Sequence, residues 1–149
     1  MAETTPEKQH IAFIGLGAMG GPMAIRLVQA GFSVTGYDIS APAMHRLQSA
    51  GGHMAASAAA AAAGAAWLMI MVATAEQAES TLFGPDGALT TLPTGATVIL
   101  CSTVPPAFVQ NVAQRSFPPA SGCVLSSISP SPPLPLSPSP RLPLCLTVV

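Results

Sequence analysis

Charge is what this chain has least of. Asp, Glu, Lys and Arg make up only 7% of its 149 residues and the formal net charge is −1, so it has no basic face of the kind that neutralises nucleic-acid phosphates. Nucleic acid is therefore set aside as a partner. The three cysteines, Cys101, Cys123 and Cys145, are odd in number and lack metal-ligand spacing. Neither a disulfide framework nor a metal site is indicated, and a reducing compartment, the cytoplasm, is expected. The first ten residues are polar and mixed in charge, without the basic start, apolar run and small-residue cleavage site of a secretory signal. One uncharged run, Ala55 to Ala73, approaches the length of a membrane span. Its first half is alanine with Ser57 and Gly64, only weakly apolar, and no Lys or Arg cluster flanks it. It parses better as a short helix followed by a strand, and no membrane partner is expected.

What is present is a fingerprint. Ile11 to Ile14 form a short apolar strand; Gly15-Leu16-Gly17-Ala18-Met19-Gly20 is a glycine-rich turn; a helical stretch, a second strand and the carboxylate of Asp38 follow. That order is the dinucleotide-binding signature. Gly15 lets the chain turn sharply off the strand, Gly17 lets the backbone approach a pyrophosphate, and Gly20 lets the helix pack close to the strand. The N–H groups and dipole of that helix then face the phosphates, worth about 0.3 to 2 kcal/mol, which orients a ligand without binding it alone. Asp38 can accept hydrogen bonds from an adenosine ribose. A lone glycine-rich turn is weak evidence, but here it follows a strand, opens a helix and is followed by a βαβ-length segment ending in an acid.

The rest of the first 115 residues keeps the same rhythm. Met19, Met23, Leu27 and Val28 recur at helical spacing, Pro22 lies near the first turn, and Gly31 stops the helix. The second strand runs from Phe32 to Tyr37, and Ser40 caps a helix through about Ser49 with Met44 and Leu47 facing the sheet. His45 on that helix reads as a solvated surface residue. A short third strand around His53 to Ala55 leads to Ser57, the N-cap of an alanine helix over Ala58 to Ala63, too short to persist without packing. Trp67 to Val72 reads as a fully buried parallel strand. Glu76 to Phe83 forms a helix ended by the Gly84-Pro85-Asp86-Gly87 turn. Ala96 to Leu100 is the fifth strand and Pro106 to Arg115 the last helix. Alternation at this pace predicts an α/β fold of the Rossmann type, a doubly wound parallel sheet of about five strands.

Composition changes at Ser116: nine of the sixteen prolines lie in the last thirty-four residues, with many serines and no acid. Ordering a backbone costs about 1 to 2 kcal/mol per residue, and such a stretch buries little to offset it. The expected organisation is a disordered N-terminus over 1–9, a folded unit over 10–115 and a disordered tail over 116–149. Pro130 to Pro133 and Pro135 to Pro138 have PxxP spacing, with Arg141 as a basic anchor, and Ser129, Ser131, Ser137 and Ser139 each precede proline. One reading is therefore an interaction protein whose tail binds SH3 or WW domains; the other is that the tail arises from splicing or a reading error and binds nothing.

The run Gly15 to Ala24, with Gly36-Tyr37-Asp38, Met71 to Ala78, Leu82-Phe83-Gly84, Gly95 to Ile99 and Ser102-Thr103-Val104-Pro105, resembles the β-hydroxyacid dehydrogenase family. That family includes 3-hydroxyisobutyrate and 6-phosphogluconate dehydrogenases, and the likeness is greatest to its L-threonate dehydrogenase type. It covers residues 10 to 115. The resemblance implies that Gly15, Leu16, Gly17, Ala18, Met19 and Gly20 cradle a pyrophosphate and Asp38 holds the ribose. It places Val72 and Ala73 along the adenosine, Gln77 and Thr103 further along the cofactor, and Ser102 near a substrate carboxylate. This chain departs from the pattern at Leu100, where many members have Asp, and at Ala73, where many have Pro.

Members of that family continue into a sixth strand, a Gly-Gly substrate loop and a helical domain bearing a catalytic lysine. The single lysine here is Lys8, ahead of the first strand. The expectation is an oxidoreductase-lineage domain that binds NAD(P), is truncated before its catalytic half, is inactive alone and carries no catalytic residue of its own. Asp38 favours NAD, since a 2′-phosphate beside it would meet like charge at about 1 to 4 kcal/mol. Ile39 and Ser40 stand where NADP-preferring members place arginine, although Arg46 nearby leaves NADP open. Loss of a sixth strand would leave the fifth as an apolar edge open to self-association.

Overall fold

The computed structural model describes residues 9–102 and 104–116. Thr103 and the whole proline-rich segment, including both PxxP stretches and Arg141, lie outside the described residues, as does Lys8.

The sheet has five parallel strands in the order β3-β2-β1-β4-β5. β1 (His10–Ile14) is its centre, flanked by β2 (Ser33–Tyr37) and β4 (Trp67–Ile70), with β3 (His53–Met54) and β5 (Thr97–Leu100) outermost. An uninterrupted apolar run such as Ile11-Ala12-Phe13-Ile14 suits this central position, because helices cover both faces of a parallel sheet; all four residues are buried.

Helices α1 (Gly20–Gln29) and α2 (Ala41–Ser49) cover one face. There Phe13, Leu16, Ala24, Val34 and Leu47 form one core cluster. Helices α3 (Ala58–Ala62), α4 (Ala75–Phe83) and α5 (Pro106–Ser116) and a 3-10 turn (Ala88–Thr90) cover the other. Ala61, Ala62, Leu68, Ile70, Leu82, Val98 and Leu100 form the second cluster. Alanine in α3 matters there for its size, since a five-residue helix gains its stability from close packing and not from propensity.

Local signals place most boundaries within two residues, and the differences have physical causes. α1 is followed by Gly31 at φ +97°, but Met19 is the N-cap and 68% exposed instead of facing the sheet with Met23, Leu27 and Val28. Ser57 caps α3 by accepting from the Ala60 N–H at 3.1 Å, whereas Ser40 makes no side-chain cap for α2. Its own N–H is held by Asp38. β4 is shorter than the apolar run suggests and is not fully buried: Leu68 and Ile70 are enclosed, while Trp67 and Met69 are half-buried against the thinner α1–α2 face. The run Ala55 to Ala73 divides into α3 and β4, and no helix among the described residues is long and apolar enough to cross a membrane.

The pairing registers set the site. Tyr37, Ile14, Ile70 and Leu100 lie abreast at the carboxyl ends of four neighbouring strands. The chain steps from β1 outward to β2 and β3, then returns across to β4 and β5. The direction therefore reverses between β1 and β4, where an open α/β sheet leaves a crevice.

Candidate functional site

That crevice is a groove of about 560 Å³. Gly15, Gly17, Asp38, Val72, Ala73 and Gln77 line it, together with Tyr37, Ile39, Met71, Ser57, Ser80, Thr81 and the Gly84-Pro85-Asp86 turn.

The glycine-rich turn forms its floor. Gly15 has φ +92°, and a Cβ there would collide with the Met71 carbonyl oxygen. A Cβ at Gly20 would strike the Gly15 carbonyl oxygen and crowd the Phe13 ring. Gly17 is different: a Cβ there would meet no protein atom within 4 Å. It is the open point of the cradle. Packing requires Gly15 and Gly20, whereas Gly17 leaves room above the backbone. α1 begins immediately beyond, with no side-chain cap and no acid in its first turn; Gly21 N–H donates to the Gly17 carbonyl oxygen at 3.0 Å and Pro22 has no N–H, so what this terminus offers an anion is chiefly its partial positive charge.

The other expected residues divide by what their atoms do. Leu16 is fully buried and its side chain lies against the space left by Gly36; only its backbone belongs to the turn. Ala18 and Met19 are exposed at the mouth of α1 and do not line the groove. Asp38 Oδ2 accepts from the Leu16 N–H at 2.6 Å and Oδ1 from the Ser40 N–H at 2.7 Å. Gln77 caps the start of α4 from inside: Thr74 Oγ1 accepts from the Gln77 N–H at 3.2 Å, and Gln77 Oε1 accepts from the Ala73 N–H at 3.0 Å. This is a displaced capping box, reaching one residue further back than the usual pairing. Ser102, only 2% exposed, is the buried polar side chain of the described core, and its Oγ accepts from the Val72 N–H at 3.0 Å. The groove does not reach it.

Sequence reasoning passed over Ile39, Ser57, Ser80, Thr81 and Asp86 as wall residues. Ile39 had a readable signal, since it follows the ribose-type acid, and it stands 92% exposed. The others come from three separate segments that only the crossover brings together.

Electrostatically the groove carries two carboxylates, Asp38 and Asp86, and no lysine or arginine among its lining residues. Glu76, in the first turn of α4, has its carboxyl held below the usual glutamate range, first by its own backbone N–H and then by the Thr74 hydroxyl. Burial pushes the Cys101 thiol up, so it is a poor nucleophile despite its place just beyond β5. His45 and His53 are both exposed, on α2 and at the start of β3.

Comparison with known proteins agrees with this geometry. Residues 10–118 match the NAD binding domain of 6-phosphogluconate dehydrogenase. The chain is 37% identical over 107 residues to an L-threonate dehydrogenase of Cupriavidus necator, covering 72% of this chain and 36% of that protein. It is 38% identical over 106 residues to a 3-hydroxyisobutyrate dehydrogenase of Pseudomonas aeruginosa, covering 71% and 36%. The crystal structure of a 3-hydroxyisobutyrate dehydrogenase from Salmonella typhimurium superimposes with a TM-score of 0.68 at 33% identity, over 72% of this chain and 37% of that one. The chain thus spans about a third of the length of the curated relatives it matches. A glycine-rich turn at a β1–β4 switch point, an acid closing β2 and a match over residues 10–118 together make this chain a member of the family of 6-phosphogluconate dehydrogenase NAD-binding domains.

Proposed function

We propose that the groove holds NAD in preference to NADP, and that the chain is the cofactor-binding part of a dehydrogenase acting on a small 3-hydroxy acid of the L-threonate or 3-hydroxyisobutyrate kind. The observation that carries this reading is the convergence of Gly15, Gly17 and Asp38 on one groove beyond the carboxyl ends of β1 and β2. In this reading the amides of the turn and the positive end of α1 take the pyrophosphate, and Asp38 takes the ribose. Val72 and Ala73 flank the adenosine, with Gln77 and Thr103 further along.

The preference for NAD is supported by charge. Two carboxylates and no cation among the described lining residues make a poor setting for an extra phosphate, at about 1 to 4 kcal/mol per close like-charged pair. For Ser102 we propose a supporting part. One of its lone pairs holds the Val72 N–H, and it is enclosed out of reach of the groove, so it fixes the groove wall and does not meet a substrate carboxylate directly.

A bound nicotinamide dinucleotide would supply the hydride acceptor, and the residues here would bind and orient it. Oxidising a hydroxy acid also needs a proton acceptor at the hydroxyl. We propose that this chain alone does not provide one. Lys8, its single lysine, precedes β1 in sequence, whereas the groove lies past that strand's other end.

NADH fluorescence titration of the purified chain tests the binding, and NADPH titrated in parallel tests the preference. Saturable NADH binding at least about tenfold tighter than NADPH, a difference of about 1.4 kcal/mol, is the expected result. NAD reduction in the presence of L-threonate or 3-hydroxyisobutyrate by the chain alone would refute the non-catalytic part.

A further inference from the structure

We infer that Asp38 is a positioning residue for the glycine-rich turn, holding the Leu16 peptide in the orientation that opens Gly17 to an anion, whether or not a ribose is present. The inference rests on the dinucleotide reading above and deepens it. A carboxylate that served only as a ribose acceptor would have no need of protein donors, yet both oxygens of Asp38 are engaged at short distance: Oδ2 by Leu16 N–H at 2.6 Å and Oδ1 by Ser40 N–H at 2.7 Å. The contact to Leu16 joins residues 22 apart in sequence, so it is a tertiary tie and not a local turn.

It does not act alone. Gly15 N–H donates to the Tyr37 carbonyl oxygen at 3.0 Å, so two consecutive residues at the end of β2 grip two consecutive residues at the start of the turn. Between them the Leu16 side chain is sealed in the core against Leu47 and the bare Cα of Gly36. With the side chain locked and the N–H aimed at Asp38, the next peptide has little freedom, and Gly17 is presented with open space above it.

The chemistry requires a carboxylate. Its two oxygens offer about four lone-pair sites; two satisfy backbone donors and the rest remain for hydroxyl donors from a ligand. An asparagine would replace one acceptor with an NH2 group facing an N–H. Either Leu16 or Ser40 would then lose its partner, and the turn would loosen. Ribose recognition and pyrophosphate recognition are therefore coupled through one side chain.

The test separates that coupling from direct contact. Calorimetric titration of ADP and of 2′,3′-dideoxy-ADP is carried out on the full chain and on Asp38→Asn, with far-UV circular dichroism confirming the fold. The dideoxy ligand has no ribose hydroxyls for Asp38 to bind. Its affinity should still fall about 10-fold in Asp38→Asn, as expected for losing a charge-assisted hydrogen bond that shapes the phosphate site. Equal affinity of the two proteins for the dideoxy ligand, with ADP alone weakened, would overturn the inference. Amide hydrogen exchange reads the same tie without a ligand. Leu16 should exchange about 10-fold faster in Asp38→Asn than in the unsubstituted chain while the buried Ala24 in α1 keeps its rate, and an unchanged Leu16 rate would overturn the inference. If the unsubstituted chain binds neither nucleotide, the dinucleotide reading fails and the Leu16 exchange rate still decides whether Asp38 positions the turn.

Discussion

Ser102 Oγ accepts the Val72 N–H at 3.0 Å, joining the segments that leave β5 and β4. Ser102→Ala would leave the Val72 N–H without this acceptor beside an enclosed cavity. A buried donor without a partner costs about 1 to 3 kcal/mol, and a domain of this size loses about 4 to 8 °C in Tm per kcal/mol. Thermal or urea unfolding of Ser102→Ala should show a loss in that range. An unchanged midpoint would mean that water replaces the hydroxyl.

Gly17 and Gly20 should respond oppositely to the same substitution. Gly17→Ala adds a methyl into open space, so the melting temperature should stay near that of the parent while NADH affinity drops about 10-fold or more, from the closest backbone approach being blocked. Gly20→Ala drives a methyl into the Gly15 carbonyl oxygen. It should lower stability by about 1 to 3 kcal/mol, as overpacking does. Paired melts and NADH titrations read both.

Glu76 gives the α4 terminus a pH dependence. Its pKa is lowered in the folded chain by its own backbone N–H and by Thr74, so its stabilising contribution is present at neutral pH. That contribution is lost as pH falls from the ordinary glutamate range through the lowered value. The gap in Tm between the parent and Glu76→Gln should therefore be small but measurable at neutral pH and should close in acid. A gap that widens in acid would reverse the sign assigned here.

Arg115 fastens α5 to α4. Its guanidinium is 2.6 Å from Glu79 and 4.1 Å from the centre of the Phe83 ring. Both charged side chains are about half exposed, at 45% and 48%, so solvent screening limits the ion pair and the stacking contact supplies much of the effect. Arg115→Ala should destabilise by about 0.5 to 1.5 kcal/mol, and Arg115→Lys should recover only part. Denaturant unfolding at low and high salt would separate the two contributions, because only the ion pair is salt-sensitive.

β5 pairs with β4 and stands last in the sheet, so its outer backbone offers a template for another strand. Self-association through this edge is expected, with an apparent mass that rises with concentration in sedimentation or light scattering. Ile99→Lys, a charge on the half-buried face of that strand, should shift the population toward monomer. Concentration-independent monomer in the parent chain would refute it.

Much of the fold was legible residue by residue. The apolar runs of β1, β4 and β5, glycines where φ turns positive after α1 and α2, and the Ser57 cap are local signals. Each depends on backbone geometry within a few residues, so a sequence displays them directly. The doubly wound parallel sheet followed from the alternation of strands and helices, because right-handed crossovers leave few alternatives, whereas the reversal between β1 and β4 is seen only in the strand order. Ser40 and Ser57 carry the same local signal, and both stand extended at the N-cap of a helix. Only the Ser57 hydroxyl accepts from the helix, from Ala60 N–H, and sequence does not tell the two apart.

By itself, then, the sequence determined the class of fold, the glycine-rich turn and the acid beside it. Only the tertiary structure decided what each site residue is committed to: Asp38 to Leu16 across 22 positions, Ser102 to Val72 across 30, and Asp86 and Ser57 to a wall shared with Gln77. The physical reason is that a polar atom taken out of water must find a partner. Which partner lies within 3 Å is settled by how strands and helices stack, a relation between distant segments that no local periodicity records.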